Sequence, residues 1–277
     1  MDIYQAVLLG IIQGLTEFLP VSSSGHLVIF QHLLGLTEPQ LFFDISLHMG
    51  TLLAVILVYR KEIWGMIAVC IKMAGSIGRG EKIGPRLATD PDARLLYLIF
   101  LGSIPTAMIG LLLRNATDTL FSSLTLVGTM MLLTGTLLWA TRKRPATGAS
   151  IEKVSAIKAL AIGTVQGMAA IPGISRSGAT ISVGLFMGID RETAARYSFL
   201  LSLPAIIGAE ILGLHDVLRE NVCIDWVLFA GVATAFITGY IALAVLLKIV
   251  RQGRFFLFAP YCWAAGAITI ILNLITR

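Results

Sequence analysis

The sequence predicts an all-α polytopic membrane protein, an inverted-topology repeat of six transmembrane helices plus two re-entrant helix hairpins. Three observations predict it. The 277 residues are 56% hydrophobic and 13% charged, against about 25% charged in a soluble domain, and mean hydropathy is +0.85. Several runs approach the ~20 apolar residues that cross a bilayer. Two further apolar regions are interrupted by Ser-, Gly- and Pro-rich turns and align with each other without a gap.

A soluble fold would expose those apolar runs to water, so it is excluded. The net charge of +5 does not mark a nucleic-acid binder, because the basic residues sit in short loops where they set orientation. Cys70, Cys223 and Cys262 are an odd, widely spaced set without metal-ligand spacing, which fits apolar packing. Met1 to Leu19 lacks a basic leading segment and contains Glu17, so it reads as part of the mature fold.

The first broken region is 3–36, interrupted at Pro20-Val21-Ser22-Ser23-Ser24-Gly25-His26. Proline and glycine stop helices and serine suits the N-cap, which predicts helix, turn, helix. Spans follow at approximately 42–59, 95–113 and 120–140. Glu62–Gly75, with Lys72 near its end, reads as an interfacial helix. A polar stretch from Thr141 to Ser155 divides the chain. The second broken region is 156–189, interrupted at Pro172-Gly173-Ile174-Ser175-Arg176-Ser177-Gly178. Spans then follow at approximately 195–214, 226–247 and 255–275. Pro105 and Pro204 fall inside spans as kinks.

A shift of 153 residues lays Ala6, Gly10, Gln13, Gly14, Ser22, Ser24, Gly25 and Gly35 on Ala159, Gly163, Gln166, Gly167, Ser175, Ser177, Gly178 and Gly188. The single membrane domain, 1–277, therefore divides into repeat one, 1–144, and repeat two, 152–277. Basic residues crowd one set of loops: Arg60, Lys61, Lys72, Arg79, Lys82, Arg86 and Arg94; Arg142, Lys143, Arg144, Lys153 and Lys158; Arg191 and Arg196; Lys248, Arg251 and Arg254. These loops are cytoplasmic by the positive-inside rule. The opposite loops hold Arg114 and Arg219 among the acids Asp118, Asp216, Glu220 and Asp225. With three crossings between the hairpins, one dips from outside and the other from inside. Such a fold places a site at the midplane.

Each half-helix after a break begins at membrane depth, where its free N–H groups and dipole favour an anion. Two such ends suit a group with two phosphates. Ser22, Ser23, Ser24, Ser175, Ser177 and Thr180 add hydroxyls, and Arg176 adds a guanidinium fork. A charge at this depth costs about 2.5–3.5 kcal/mol or more, so Glu17 and Arg176 need a reason to be there. One reading is a structural ion pair; the abundance of hydroxyls and glycines favours a phosphate site. Gln13 and Glu17, four residues apart, share a helix face. Glu17 can serve as general base or, with Gln13, hold a divalent cation. Gln13 alone also fits a helix–helix hydrogen bond. His26 titrates near neutrality. Ala179 and Ala170 replace His26 and Glu17 in the second repeat, while Ser23 replaces Arg176 in the first, so acid–base groups and clamp have been divided between the halves. Asp44 and His48 form another i, i+4 pair, either support for the site or a local pair. Tyr197 reads mainly as packing.

The run Gln13-Gly14-Leu15-Thr16-Glu17-Phe18-Leu19-Pro20-Val21-Ser22-Ser23-Ser24-Gly25-His26 and the run Pro172-Gly173-Ile174-Ser175-Arg176-Ser177-Gly178-Ala179-Thr180 resemble the two signatures of the bacterial undecaprenyl-pyrophosphate phosphatases of the bacitracin-resistance type. The resemblance covers essentially the whole chain. Gln13 occupies a position often held by Glu. The resemblance implies an integral enzyme of the bacterial cytoplasmic membrane that converts undecaprenyl pyrophosphate to undecaprenyl phosphate and inorganic phosphate. That reaction recycles the carrier for peptidoglycan, and excess enzyme confers bacitracin resistance. It also implies a site open to the outer face and a divalent cation, Mg²⁺ or Ca²⁺. The expected catalytic residues are Glu17, His26, Ser23 and Arg176, with Glu17 also the metal ligand. Gln13, Ser22, Ser24, Ser175, Ser177 and Thr180 are expected to bind substrate. Expected partners are the polyprenyl lipid, bulk membrane lipid and, as an option, a second copy of the chain. An inverted-repeat transporter or lipid flippase is the alternative class.

Overall fold

The computed structural model describes residues 1–36, 41–78, 89–114, 116, 119–120, 123–145, 147–217 and 225–275. Arg79, Lys82, Arg86, Asp118, Arg219, Glu220 and Cys223 lie outside the described residues. The elements are α1 (Ile3–Phe18), α2 (Ser23–Leu33), α3 (Leu41–Val58), α4 (Arg60–Gly78), α5 (Pro91–Arg114), α6 (Leu124–Ala140), α7 (Ala156–Met168), α8 (Arg176–Phe186), α9 (Arg191–Val217), α10 (Trp226–Arg251) and α11 (Ala259–Ile275).

Helices α5, α6, α9, α10 and α11 are long and apolar enough to cross a membrane, and the bent pair α3–α4 supplies a sixth candidate. The chain turns by 80° between α3 and α4. This matches a span followed by a helix of different direction, as the charges at Arg60, Lys61 and Glu62 suggest. Pro105 and Pro204 lie within α5 and α9, which continue through them. The surface is inverted relative to a soluble protein: Trp226, Leu112 and Ile275 point outward, while Gln13, Gln166, Thr134, Ser198 and Ser202 are buried. Apolar side chains lose nothing against lipid tails, so packing and interior hydrogen bonds must select the helix pairs.

Both predicted hairpins form. The shift of 153 carries the start and end of α2, Ser23 and Leu33, onto those of α8, Arg176 and Phe186. Gly35 and Gly188 follow the two half-helices with φ of 72° and 74°, left-handed turns that glycine adopts without a Cβ clash. Packing is crosswise. Helix α1 of the first repeat lies on α10 of the second, and α7 of the second lies on α5 of the first. Helix α6 packs on α11 and α3 on α9. Small residues set these approaches. A Cβ on Gly10 would strike the backbone of Gly231, and one on its counterpart Gly163 would come within 2.7 Å of the Gly102 Cα.

Polar contacts bind the same seams. The Thr106 hydroxyl donates to the Gly163 carbonyl at 2.8 Å, and the Gln166 amide donates to the Leu201 carbonyl at 3.1 Å. Tyr197 is buried and donates to the Leu98 carbonyl at 2.8 Å, a packing role. Cys262 is buried and Cys70 exposed.

Gly163→Ala should destabilise the protein by about 1–3 kcal/mol through overpacking of α5 on α7. Gly110, whose Cβ position is open, provides the control: Gly110→Ala should be neutral or mildly stabilising. Thermal unfolding in detergent checks both, and equal Tm values for Gly163→Ala and the parent would contradict the close approach.

Candidate active site

The tips of the two hairpins meet. The Ser177 hydroxyl donates to the Phe18 carbonyl at 3.0 Å, and a Cβ on Gly178 would lie 3.2 Å from the Pro20 Cβ. Between the tips, Arg176 Nη2 donates to Glu17 Oε1 at 2.6 Å, with the side chains 16% and 7% exposed. The second carboxylate oxygen, Oε2, accepts from Ser23 Oγ at 2.7 Å and from Gln13 Nε2 at 3.3 Å. Gln13 Nε2 also lies 3.0 Å from His48 Nδ1, which is 3.6 Å from Glu17 Oε2. One carboxylate thus gathers groups from α1, α2, α3 and α8.

The two turns are capped differently. Ser175 caps α8, its hydroxyl accepting from the Gly178 N–H at 3.1 Å. Ser22 precedes α2 but caps nothing, and its buried Oγ has no partner. Ser22 is also the only non-glycine residue with positive φ, 72°, among the described residues. A serine held there stores strain of about 1–3 kcal/mol, which clusters at functional sites. The first turn of α2 therefore presents N–H groups with no side chain over them, and Ser24 sits half-buried on that turn.

Expected as phosphate donors, Ser175, Ser177 and Thr180 are engaged with protein partners. Ser175 Oγ lies 3.3 Å from Ser177 Oγ, and Thr180 Oγ1 donates to the Arg176 carbonyl at 2.7 Å and lies 2.5 Å from Ser198 Oγ. These bonds hold α8 in place. From the second hairpin, Arg176 alone of the expected residues keeps a buried donor, Nη1, without a partner.

His26 is buried but turned from Glu17. Its Nδ1 lies 2.8 Å from the Ser22 carbonyl and its Nε2 2.6 Å from the Tyr261 hydroxyl, with the two rings stacked. A carbonyl only accepts, so Nδ1 carries the hydrogen, and in the neutral ring Tyr261 donates to Nε2.

A family model described as bacitracin resistance protein BacA matches residues 6–268. The chain belongs to that family. Relatives named undecaprenyl-diphosphatase include one from Desulforapulum autotrophicum, 54% identical over 275 residues, covering 99% of this chain and 100% of the relative. One from Desulfosudis oleivorans is 55% identical over 280 residues, with 99% and 100% covered. One from the more distant Methanosphaera stadtmanae is 41% identical over 276 residues, with 99% of each covered.

In this family member three neighbours of the site were not assigned to it from sequence. Tyr261 lies in an apolar span with no motif around it. Glu210 has a buried, unpartnered Oε2 and stands within electrostatic reach of Glu17 and Asp44; a carboxylate inside the span 195–214 was a signal that could have found it. His48 was read only as support. Its i, i+4 partner Asp44 instead accepts from Gln31 Nε2 at 2.7 Å.

Breaking a buried ion pair leaves an uncompensated charge and costs about 3–5 kcal/mol. Glu17→Ala and Arg176→Ala should therefore each lower Tm, and the double variant should lose clearly less than the sum. Additive losses in detergent unfolding would separate the two residues.

Proposed function

We propose that this multi-pass membrane protein hydrolyses undecaprenyl pyrophosphate to undecaprenyl phosphate and inorganic phosphate at the meeting point of its two hairpins. Its family membership and its undecaprenyl-diphosphatase relatives support the reaction. The observation that carries the site is the shared carboxylate: Ser23 Oγ on one oxygen of Glu17 and Arg176 on the other.

The terminal phosphate sits between Arg176 Nη1 and the open first turn of α2, with Ser22 and Ser24 beside it. Ser175, Ser177 and Thr180 hold the second hairpin so that Arg176 keeps its aim. Ser23 Oγ attacks the terminal phosphorus while Glu17 takes its proton. The bridging P–O bond breaks, and its electrons leave with undecaprenyl phosphate. Water then releases phosphate from Ser23. The protein contributes mainly position and charge stabilisation, as phosphoryl transfer requires. His26 faces Tyr261, which is 49% exposed, so its proton route leads outward.

A divalent cation fits this set in a limited way. Among the described residues no three acidic, His or Cys side chains are grouped to hold a metal. Glu17 Oε2 and the buried, unpartnered Gln13 Oε1 suit Mg²⁺, which needs few carboxylates when substrate phosphates complete its shell. When bound it would neutralise phosphate charge.

We place the chain in the bacterial cytoplasmic membrane. With α4 at the interface, three spans separate the hairpins, so they enter from opposite leaflets, and the first opens the site to the outer face. The crosswise packing supports this inverted arrangement. It is also a transporter trait, so the test uses purified protein in detergent, where no gradient exists. Phosphate should be released from undecaprenyl pyrophosphate, and Ser23→Ala should lose at least about 100-fold. Turnover of Ser23→Ala near the parent's would remove Ser23 as nucleophile, and absence of phosphate release would favour the carrier reading.

A further inference from the structure

We propose that His48 is the proton relay of this site, taking through Glu17 the proton that Ser23 gives up. The proposal rests on the assignment of the reaction to Glu17. His48 acts through that carboxylate, so it is a positioning residue.

The geometry singles out His48 over His26. His48 Nδ1 is 3.6 Å from Glu17 Oε2, the oxygen that receives the Ser23 hydrogen bond. Among the described residues both ring nitrogens of His26 are occupied elsewhere, by Ser22 and Tyr261. His48 is 28% exposed where Glu17 is 7% exposed, so it connects a closed carboxylate with a more open space. Asp44 does not compete for it, being held by Gln31.

The internal repeat separates this role from packing. Position 48 of the first repeat corresponds, at the shift of 153, to position 201 of the second. There the buried amide of Gln166 donates to the Leu201 backbone carbonyl. In the first repeat the matching amide, Gln13, meets the His48 ring nitrogen instead. A carbonyl suffices to tie the hairpin to the next helix. Only the half that carries Glu17 has replaced that acceptor with a group that binds a proton near neutral pH.

Gln13 makes both protonation states tenable. With His48 neutral, Gln13 Nε2 donates to Nδ1 and to Glu17. Its Oε1 is buried with no partner. Once Nδ1 is protonated, a half-turn of the amide offers Oε1 as acceptor. A glutamate at position 13 would add charge here; a glutamine adds a reversible donor and acceptor.

The step balances without any co-reactant. As Ser23 Oγ bonds to phosphorus, its proton moves to Glu17 and on to His48 Nδ1. The bridging P–O electron pair leaves with undecaprenyl phosphate. When water cleaves the phosphoserine, the stored proton returns to Ser23 Oγ.

The test is steady-state kinetics of His48→Asn, His48→Gly with and without imidazole, and Glu17→Gln. Asparagine keeps a hydrogen bond toward Gln13 but binds no proton. We expect His48→Asn to lose about 100-fold in kcat with KM nearly unchanged. Imidazole should restore turnover to His48→Gly, which a packing role does not explain and which reads the relay even if asparagine disturbs the fold. Parental kcat in His48→Asn, a change in KM alone, or no response of His48→Gly to imidazole overturns the relay. Normal turnover of Glu17→Gln overturns the site assignment itself, whereas loss in Glu17→Gln with parental His48→Asn sinks only the relay.

Discussion

The ion pair between Glu17 and Arg176 is the constraint on which the rest of the arrangement depends. Each charge alone is expensive at membrane depth. Together, 2.6 Å apart, they fix the tip of one hairpin against the tip of the other. A buried pair is a weak source of net stability. Its value here is positional: it fixes the direction of Arg176 and leaves the second oxygen of Glu17 for Ser23, Gln13 and His48.

The helices around the pair give it a rigid frame. Because α1 packs on α10 and α7 on α5, neither repeat folds its hairpin against its own helices alone. Gly10 and Gly163 permit the close contacts, and Thr106 and Gln166 lock them with hydrogen bonds. The result brings the two turns together near the middle of the helix bundle. The strain at Ser22, with φ of 72°, is sustained by this frame.

Most of the fold was legible in the sequence because membrane segments obey few rules. Apolar length gave the spans, Pro20 and Pro172 gave the breaks, and the gapless alignment of Gly10 on Gly163 and Gln13 on Gln166 gave the repeat. The pairing of Glu17 with Arg176 was legible because isolated charges at depth need partners. The hydroxyls were harder. A Ser-rich run shows donors but not their partners, so Ser177 and Thr180 read as free when Phe18 and Ser198 engage them. Tyr261 was hidden because it reaches His26 across 235 residues, a contact that no local periodicity encodes. His48 was visible as a polar residue in a span, but its partner was misjudged: i, i+4 spacing pointed to Asp44, whereas packing of α1 on α3 supplied Gln13 and Glu17.

The most direct measurement of the central claim is a kinetic double-mutant cycle with Glu17→Gln, Arg176→Gln and the double variant, using purified protein and undecaprenyl pyrophosphate. Residues that act as one unit lose about as much singly as together. The account predicts that each single variant is severely impaired and that the double variant is no worse than the poorer single. Losses that multiply, or a single variant that turns over normally, would contradict a shared site.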